Sequence, residues 1–360
     1  MQFIFGEKQL SGRESLAETE MIFAVRSIPA LGFSTVFVTV SSEAGQVNKV
    51  RQVLTEPGQS RGLEISPTIS ADMLYYVGSK YAGQPSGAYV FRPDGGKEVL
   101  TDSPLYSQTT GPLVNESIVE LSDWGVLTAR TYPETDQAEL TWQVGPISGG
   151  REVVVVLTTD INNTGGQFYT DANGRQMMRR VLRRDTAEPI AANYYPVTSR
   201  LEIRGEEEDS LVSLLTDRSQ GGSSLQTGEL EVMVHRRCQL DDWFGVGEAL
   251  EEEAFGAGLV ARGQHSVLAG TSLAAARLRQ QELVLPPRLS LLGAALSLED
   301  WLSAGAEPYS ALSGELEESL QVSIRAVLSL ITTELIRFSL SPNGKKRIKS
   351  FSDSSIYFLR

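Results

Sequence analysis

The sequence has one cysteine, Cys238, and two histidines, His235 and His265, in 360 residues. A single thiol closes no disulfide within the chain, which leans toward a reducing compartment, although a core this large needs no bridges. So few soft donors also leave a zinc site incomplete: His235 and Cys238 lie three residues apart, and a tetrahedral set needs two further ligands. No metal is expected in this chain. Basic residues are in deficit, 32 Lys and Arg against 45 Asp and Glu, for a net charge of −13. That is the wrong sign for neutralising nucleic-acid phosphates. No apolar run reaches the ~20 residues of a membrane span. The nearest, 319–340, is interrupted by Arg325, Glu334 and Arg337. Neither nucleic acid nor membrane is therefore expected as a partner.

Catalytic signatures are also missing. There is no G-x-S-x-G elbow for a hydrolase serine and no phosphate-cradling glycine loop between a strand and a helix. The opening MQFIFGEKQLSGRES has no basic stretch followed by an apolar one, so it does not read as a signal peptide. Yet two sequons, Asn115-Glu-Ser117 and Asn162-Asn-Thr164, mark Asn115 and Asn162 as candidate glycosylation sites. The mismatch suggests an incomplete chain.

What the sequence does contain is strands. In AELTWQV (138–144), Leu140, Trp142 and Val144 alternate with Glu139, Thr141 and Gln143. ELEVMVH (229–235) turns Leu230, Val232 and Val234 inward and puts His235 on the Glu229–Glu231 face; FSTVFVTV (33–40) alternates in the same way. REVVVVLTT (151–159) is apolar on both faces, as an interior strand must be. Turn clusters punctuate these runs: Pro93-Asp94-Gly95-Gly96, Gly149-Gly150, Ala172-Asn173-Gly174 and Gln220-Gly221-Gly222. The stretch 165–175 reads as a hairpin, and the acidic 205–209 as a solvated turn. One helix is expected over 271–283, capped by Thr271 or Ser272 and stopped by Pro286-Pro287. With no strand–helix alternation, the fold class is mainly β: antiparallel β-sandwich domains with at most a few helices.

Two short stretches carry candidate site residues. In SGAYVFRPDGG (86–96), Tyr89 stands just before a turn, either packed against a neighbouring sheet or facing a ligand. Asp241 and Asp242 are adjacent, so on extended backbone they point apart, unlike the paired carboxylates of a glycosidase. A turn after the preceding strand is the plainer reading.

Longer stretches carry a resemblance. SIPALGFSTVFV (27–38), SGAYVFRPD (86–94), LTWQVGPI (140–147), FYTDANGRQMMRR (168–180), EPIAANYYPVTSRLEI (188–203), LLTDRSQGGSSLQTGELEVMVHRR (214–237) and DDWFGVGEAL (241–250) resemble, in order, the C-terminal half of the lysosomal-type α-mannosidases, glycoside hydrolase family 38. The resemblance covers about 25 to 330. It implies a zinc-dependent retaining α-mannosidase acting on mannose-containing glycans, whose nucleophile, acid/base and zinc ligands lie in an N-terminal catalytic half that precedes this chain. The zinc would belong to the intact enzyme, which would be lysosomal or secretory, and this chain would be inactive alone.

The resemblance further implies a β-supersandwich of the galactose-mutarotase-like kind. It divides the chain into a first β-sandwich region (1–130), an incomplete supersandwich (131–335) and an atypical tail (336–360). That tail contains KKRIK (345–349) and reads either as a nuclear signal or as unstructured. Tyr89 maps to a tyrosine that reaches the sugar pocket. Asp241 and Asp242 match an aspartate pair that holds a loop beside it. Phe244 stands where the family often presents Arg, which puts a polar sugar contact there in doubt. The alternative is a stand-alone carbohydrate-binding or scaffold sandwich without catalysis.

Overall fold

The computed structural model describes residues 63–285, except 82, 102, 134, 136, 208 and 209, together with the outlying strands and helix named below. Nearly all of the regular structure is antiparallel β. The larger sheet has ten strands, in the order Gln176–Val181, Gln167–Ala172, Arg200–Arg204, Leu211–Thr216, Ala261–Ala269, Gln137–Val144, Gly125–Thr131, Asn115–Ser122, Leu105–Thr110 and Arg51–Leu54. The smaller runs Tyr195–Val197, Gln220–Ser223, Glu229–Arg237, Arg151–Thr159, Ile69–Val77 and Leu63–Ser66, with Glu98–Val99 paired to Ile69–Val77 as well. Both sheets draw strands from either side of residue 130, which itself lies within Gly125–Thr131.

The core lies between the sheets. Leu127, Leu140, Trp142 and Val144 from the larger sheet meet Met73, Val153, Val155, Leu157, Leu230 and Val232 from the smaller, and all of them are buried. The alternation of 138–144 and 229–234 is what places these side chains on the inner faces. Arg151–Thr159 is the exception that the sequence shows: its second face, Val154 and Val156, is also buried, beside Tyr76 and Met233 of the neighbouring strands and with Phe91, Ile190 and Leu225. Connecting segments laid over the smaller sheet therefore cover its outer side.

The helix Leu273–Val284 is capped by Ser272, whose Oγ accepts from Ala275 N–H at 3.2 Å. It covers the outside of the larger sheet, where Ala276 packs with Leu215, Leu268 and Leu283. The hairpin at 165–175 forms: Ala172 pairs with Gln176 across a three-residue loop in which Asn173 and Gly174 are both at positive φ. In the acidic stretch 205–209, of which 208 and 209 lie outside the described residues, Gly205 N–H donates to Ser210 O at 2.7 Å.

Of the strand expected at 33–40, Phe33–Ser34 is described, paired to Tyr309–Ser310; the rest lies outside the described residues. A second short helix spans Leu298–Ser303. The expectation of an unstructured tail is corrected. Glu334–Leu340, Lys346–Lys349 and Ile356–Tyr357 are strands, joined with Gln2–Phe5 and Thr19–Val25 in a five-stranded sheet. The sequence pattern behind it is the period-two alternation of ELIRFSL, in which Ile336, Phe338 and Leu340 alternate with Arg337 and Ser339.

Truncating a side chain at the centre of the two-sheet core removes contacts that the surroundings cannot refill. Leu140→Ala is expected to cost about 2–5 kcal/mol, read from the urea midpoint at constant slope.

Candidate functional site

The strand Glu229–Arg237 contains a β-bulge. Val153 pairs with His235, but Val154 pairs with Met233, so Val234 is the extra residue. Below the bulge, Leu230 and Val232 face the core and Glu231 faces outward, as alternation dictates. Beyond it the phase reverses. His235, expected on the Glu229–Glu231 face, is turned to the other side, where Nε2 lies 3.2 Å from Leu259 O. Arg236 is turned outward, opposite Glu152. Burial lowers the His235 pKa.

Glu152 is fully buried. Its Oε1 accepts from Arg236 Nε at 2.8 Å, Arg236 Nη2 at 2.5 Å, Ser86 Oγ at 2.8 Å and the Cys238 thiol at 3.5 Å, while Oε2 has no hydrogen-bond partner. Burial and the Glu152 charge beside it push the Cys238 thiol up to about 12, with Arg236 opposing. The thiol therefore stays protonated and serves as a donor.

Above this cluster two loops meet. One leaves Ile69–Val77 and returns at the Gly78–Pro93 bridge; within it Gly87 N–H donates to Val90 O at 2.9 Å, closing a tight turn around Tyr89. The other leaves Glu229–Arg237 at Cys238, whose N–H donates to Leu250 O at 2.9 Å. Asp242 joins them. Its Oδ2 accepts from Tyr89 N–H at 2.5 Å and Val90 N–H at 2.8 Å, and its Oδ1 from Phe244 N–H at 3.2 Å. Gly87 makes this approach possible, since a Cβ there would stand 2.7 Å from Asp242 Cβ and 2.8 Å from Asp242 N. Desolvation raises the Asp242 pKa, but the Val90, Tyr89 and Phe244 amides and the Arg236 charge outweigh it and hold the carboxyl below its ordinary value.

Around the buried Asp242, three rings stand in solvent: Tyr89 (67% exposed), Trp243 (61%) and Phe244 (62%). Trp243 has φ +62, and Gly245 and Gly247 are at +108 and +74. The loop thus turns sharply enough to leave its aromatic residues outside the core. Asp241 is half-buried, and its Oδ1 has no hydrogen-bond partner.

Tyr89, Asp241, Asp242 and Phe244, named from the sequence, thus come together in one place. Arg236, Glu152, Ser86, Gly87 and Trp243 were missed. One signal was available: an unbroken alternation would have put Arg236 on the apolar side with Val232 and Val234, which calls for either a bulge or an ion pair. His265 is elsewhere, between the sheets, with Nε2 2.8 Å from Gln220 Oε1 and its pKa lowered by burial to about 4. Among the described residues, no group of three or more His, Cys, Asp and Glu could hold a metal ion, so these residues do not fit a zinc site. No described helix is long and apolar enough to cross a membrane. Of the sequons, Asn162 is exposed next to a turn; Asn115 is half-buried at the start of a strand, and its Oδ1 accepts from Gly111 N–H at 3.4 Å.

The Glycosyl hydrolases family 38 C-terminal domain matches residues 38–244, more than half of the chain. The chain belongs to this family. Human lysosomal alpha-mannosidase is 41% identical over 258 residues, covering 66% of this chain and 24% of its own length. The lysosomal alpha-mannosidase of Mus musculus is 36% identical over 319 residues, covering 76% of this chain and 31% of its own. The family 38 chain thus spans less than a third of the length of these relatives. Among solved structures, an alpha-mannosidase from Enterococcus faecalis V583 aligns over 66% of this chain and 30% of its own, at 12% identity and a TM-score of 0.43.

Two outcomes follow from the geometry. A carboxyl whose folded pKa is depressed stabilises the fold fully above its unfolded value, and the contribution is lost as pH falls through the folded value. The Tyr89 and Val90 amide protons should therefore move upfield in NMR spectra below pH 3.8, the ordinary Asp242 value, and the movement should vanish in Asp242→Asn. Trp243→Gly relieves a left-handed backbone at an exposed position and should stabilise the chain by about 1 kcal/mol, measured by urea denaturation.

Proposed function

We propose that this chain is the C-terminal β part of an enzyme that hydrolyses α-mannosides of glycoprotein glycans. It scaffolds a catalytic part outside these residues and forms one wall of the sugar pocket. The observation that carries the reading is Tyr89: a bare ring on a loop whose backbone is pinned from beneath by the buried Asp242. An exposed aromatic ring on a fixed backbone offers a face to the C–H side of a pyranose and a hydroxyl to its oxygens. Trp243 and Phe244 extend the apolar surface. Asp242 acts through the loop, because its oxygens are taken by backbone amides. The family membership and the names of the relatives support mannosides as substrate and a lysosomal or secretory location, where Asn162 is the better placed of the two sequons.

Hydrolysis requires more than this chain presents. Asp241 and Asp242 do not flank a common space: one carboxylate lies under the Tyr89 loop, and the other is not bonded to it. Zinc, a property of the intact enzyme in this reading, would be held by residues outside the described ones. The chain alone should leave p-nitrophenyl α-mannoside intact, whereas an enzyme of full relative length carrying it should release p-nitrophenol. Release by the chain alone would overturn the reading. In the full-length enzyme, Tyr89→Phe should lower kcat/KM about fivefold, the worth of one hydrogen bond of roughly 1 kcal/mol; unchanged kinetics would return Tyr89 to a packing role. The exposed Trp243–Phe244 pair favours a second reading, a stand-alone sugar-binding module. Calorimetric binding of mannose by the chain alone, with no activity in the full-length protein, would select it.

A further inference from the structure

The segment Ala88-Tyr89-Val90 lies outside both sheets, yet its backbone is fixed on two sides. On the donor side, the Tyr89 and Val90 N–H groups meet Asp242. On the acceptor side, Arg236 Nη2 donates to Val90 O at 2.8 Å and Nη1 to Ala88 O at 3.4 Å. Ala88 O and Tyr89 N–H belong to the peptide plane before Tyr89, Val90 N–H to the plane after it, and Val90 O to the next plane along. Holding the planes sets the φ and ψ of Tyr89 and leaves only its side-chain torsions free.

The guanidinium is itself fixed. Glu152 takes Nε and Nη2 from one side, and Ser86 Oγ, which also bonds Glu152 and Val90 O, closes the ring of contacts. Glu152 belongs to Arg151–Thr159, the strand buried on both faces, and is itself fully buried. Arg236 reaches it only because the bulge at Val234 reverses the strand's phase.

We propose that Arg236, locked to Glu152, is a positioning residue for Tyr89. It ties the loop to the central strand and fixes the Tyr89 backbone from which the ring reaches the sugar. This rests on the reading of Tyr89 as a sugar contact. The role requires a planar fork, because one cation must serve a carboxylate on one edge and two carbonyls on another. Lysine retains the charge but has no such fork. A residue that merely neutralised Glu152 would tolerate lysine; a positioning residue does not.

The test has two arms. In the full chain, Arg236→Lys should shift the Tyr89 and Val90 amide resonances while those of Leu230 and Val232 stay in place. Unmoved Tyr89 and Val90 amides would overturn the proposal. In an enzyme of full relative length, Arg236→Lys should lower kcat/KM for an aryl α-mannoside about tenfold. The double variant with Tyr89→Phe should be no worse than the poorer single, since both changes act on one contact. Multiplying effects would show that Arg236 acts on the fold at large and would overturn the proposal. If Tyr89→Phe alone has no effect, the sugar-contact reading fails and this inference with it, and the amide arm separates that outcome from a failure of Arg236 to hold the loop. Should Arg236→Lys not fold, Glu152→Gln, which keeps the shape and removes the charged anchor, should shift the same two amides and reduce kcat/KM with the same dependence on Tyr89. A silent Glu152→Gln would count against the proposal equally.

Discussion

A strand that is apolar on both faces cannot lie at a surface, and Arg151–Thr159 is such a strand. Its Val153, Val155 and Leu157 require a partner sheet on one side; its Val154 and Val156 require a cover on the other. The first demand is met by the larger sheet and gives the sandwich. The second draws a chain segment across the smaller sheet, with Phe91 edge-on to both Tyr76 and Tyr194. The loop that carries Tyr89 belongs to this cover. It is close to the most buried strand of the molecule because that strand has to be covered.

The cover also contains charge, and charge beneath a cover has to be paired. Two networks do so along the outer face of the smaller sheet. In one, Glu231 accepts from Tyr76 at 2.8 Å, from Lys97 at 2.6 Å and from Tyr194, and Lys97 also bridges to Glu229. In the other, Glu152 holds Arg236, Ser86 and Cys238. The first ties the cover down at its middle. The second lies where the sheet ends and the two loops begin, and there Arg236 passes from sheet to loop. Asp242 then joins the loops through three amides. The exposed rings thus stand on backbone that buried carboxylates hold in place.

Much of this was legible in the residues. Alternation in 138–144 and 229–234 gave the inner faces, the doubly apolar 151–159 gave the interior strand, and the turn residues gave the hairpins. Long distinctive runs such as Asp217-Arg218-Ser219-Gln220-Gly221-Gly222 carried the family, and the candidate residues Tyr89, Asp241, Asp242 and Phe244 do fall in one place. The bulge was not legible as such, because an extra residue leaves the order of side chains intact and changes only their pairing. His235 was therefore put on the wrong face, and Arg236 was not singled out.

The sequence by itself determined the class of fold, the faces of most strands and the family, because these depend on periodicity and on local composition. Only the tertiary structure decided that Asp242 lies under Tyr89, that Gly87 is where the two loops touch, and that Arg236 meets Glu152 rather than the core. Those facts depend on pairing across more than 60 residues of chain in the case of Ser86 and Glu152, and on more than 150 in the case of Tyr89 and Asp242. Strand register is set by how whole faces pack, and a one-residue shift exchanges every side chain's side.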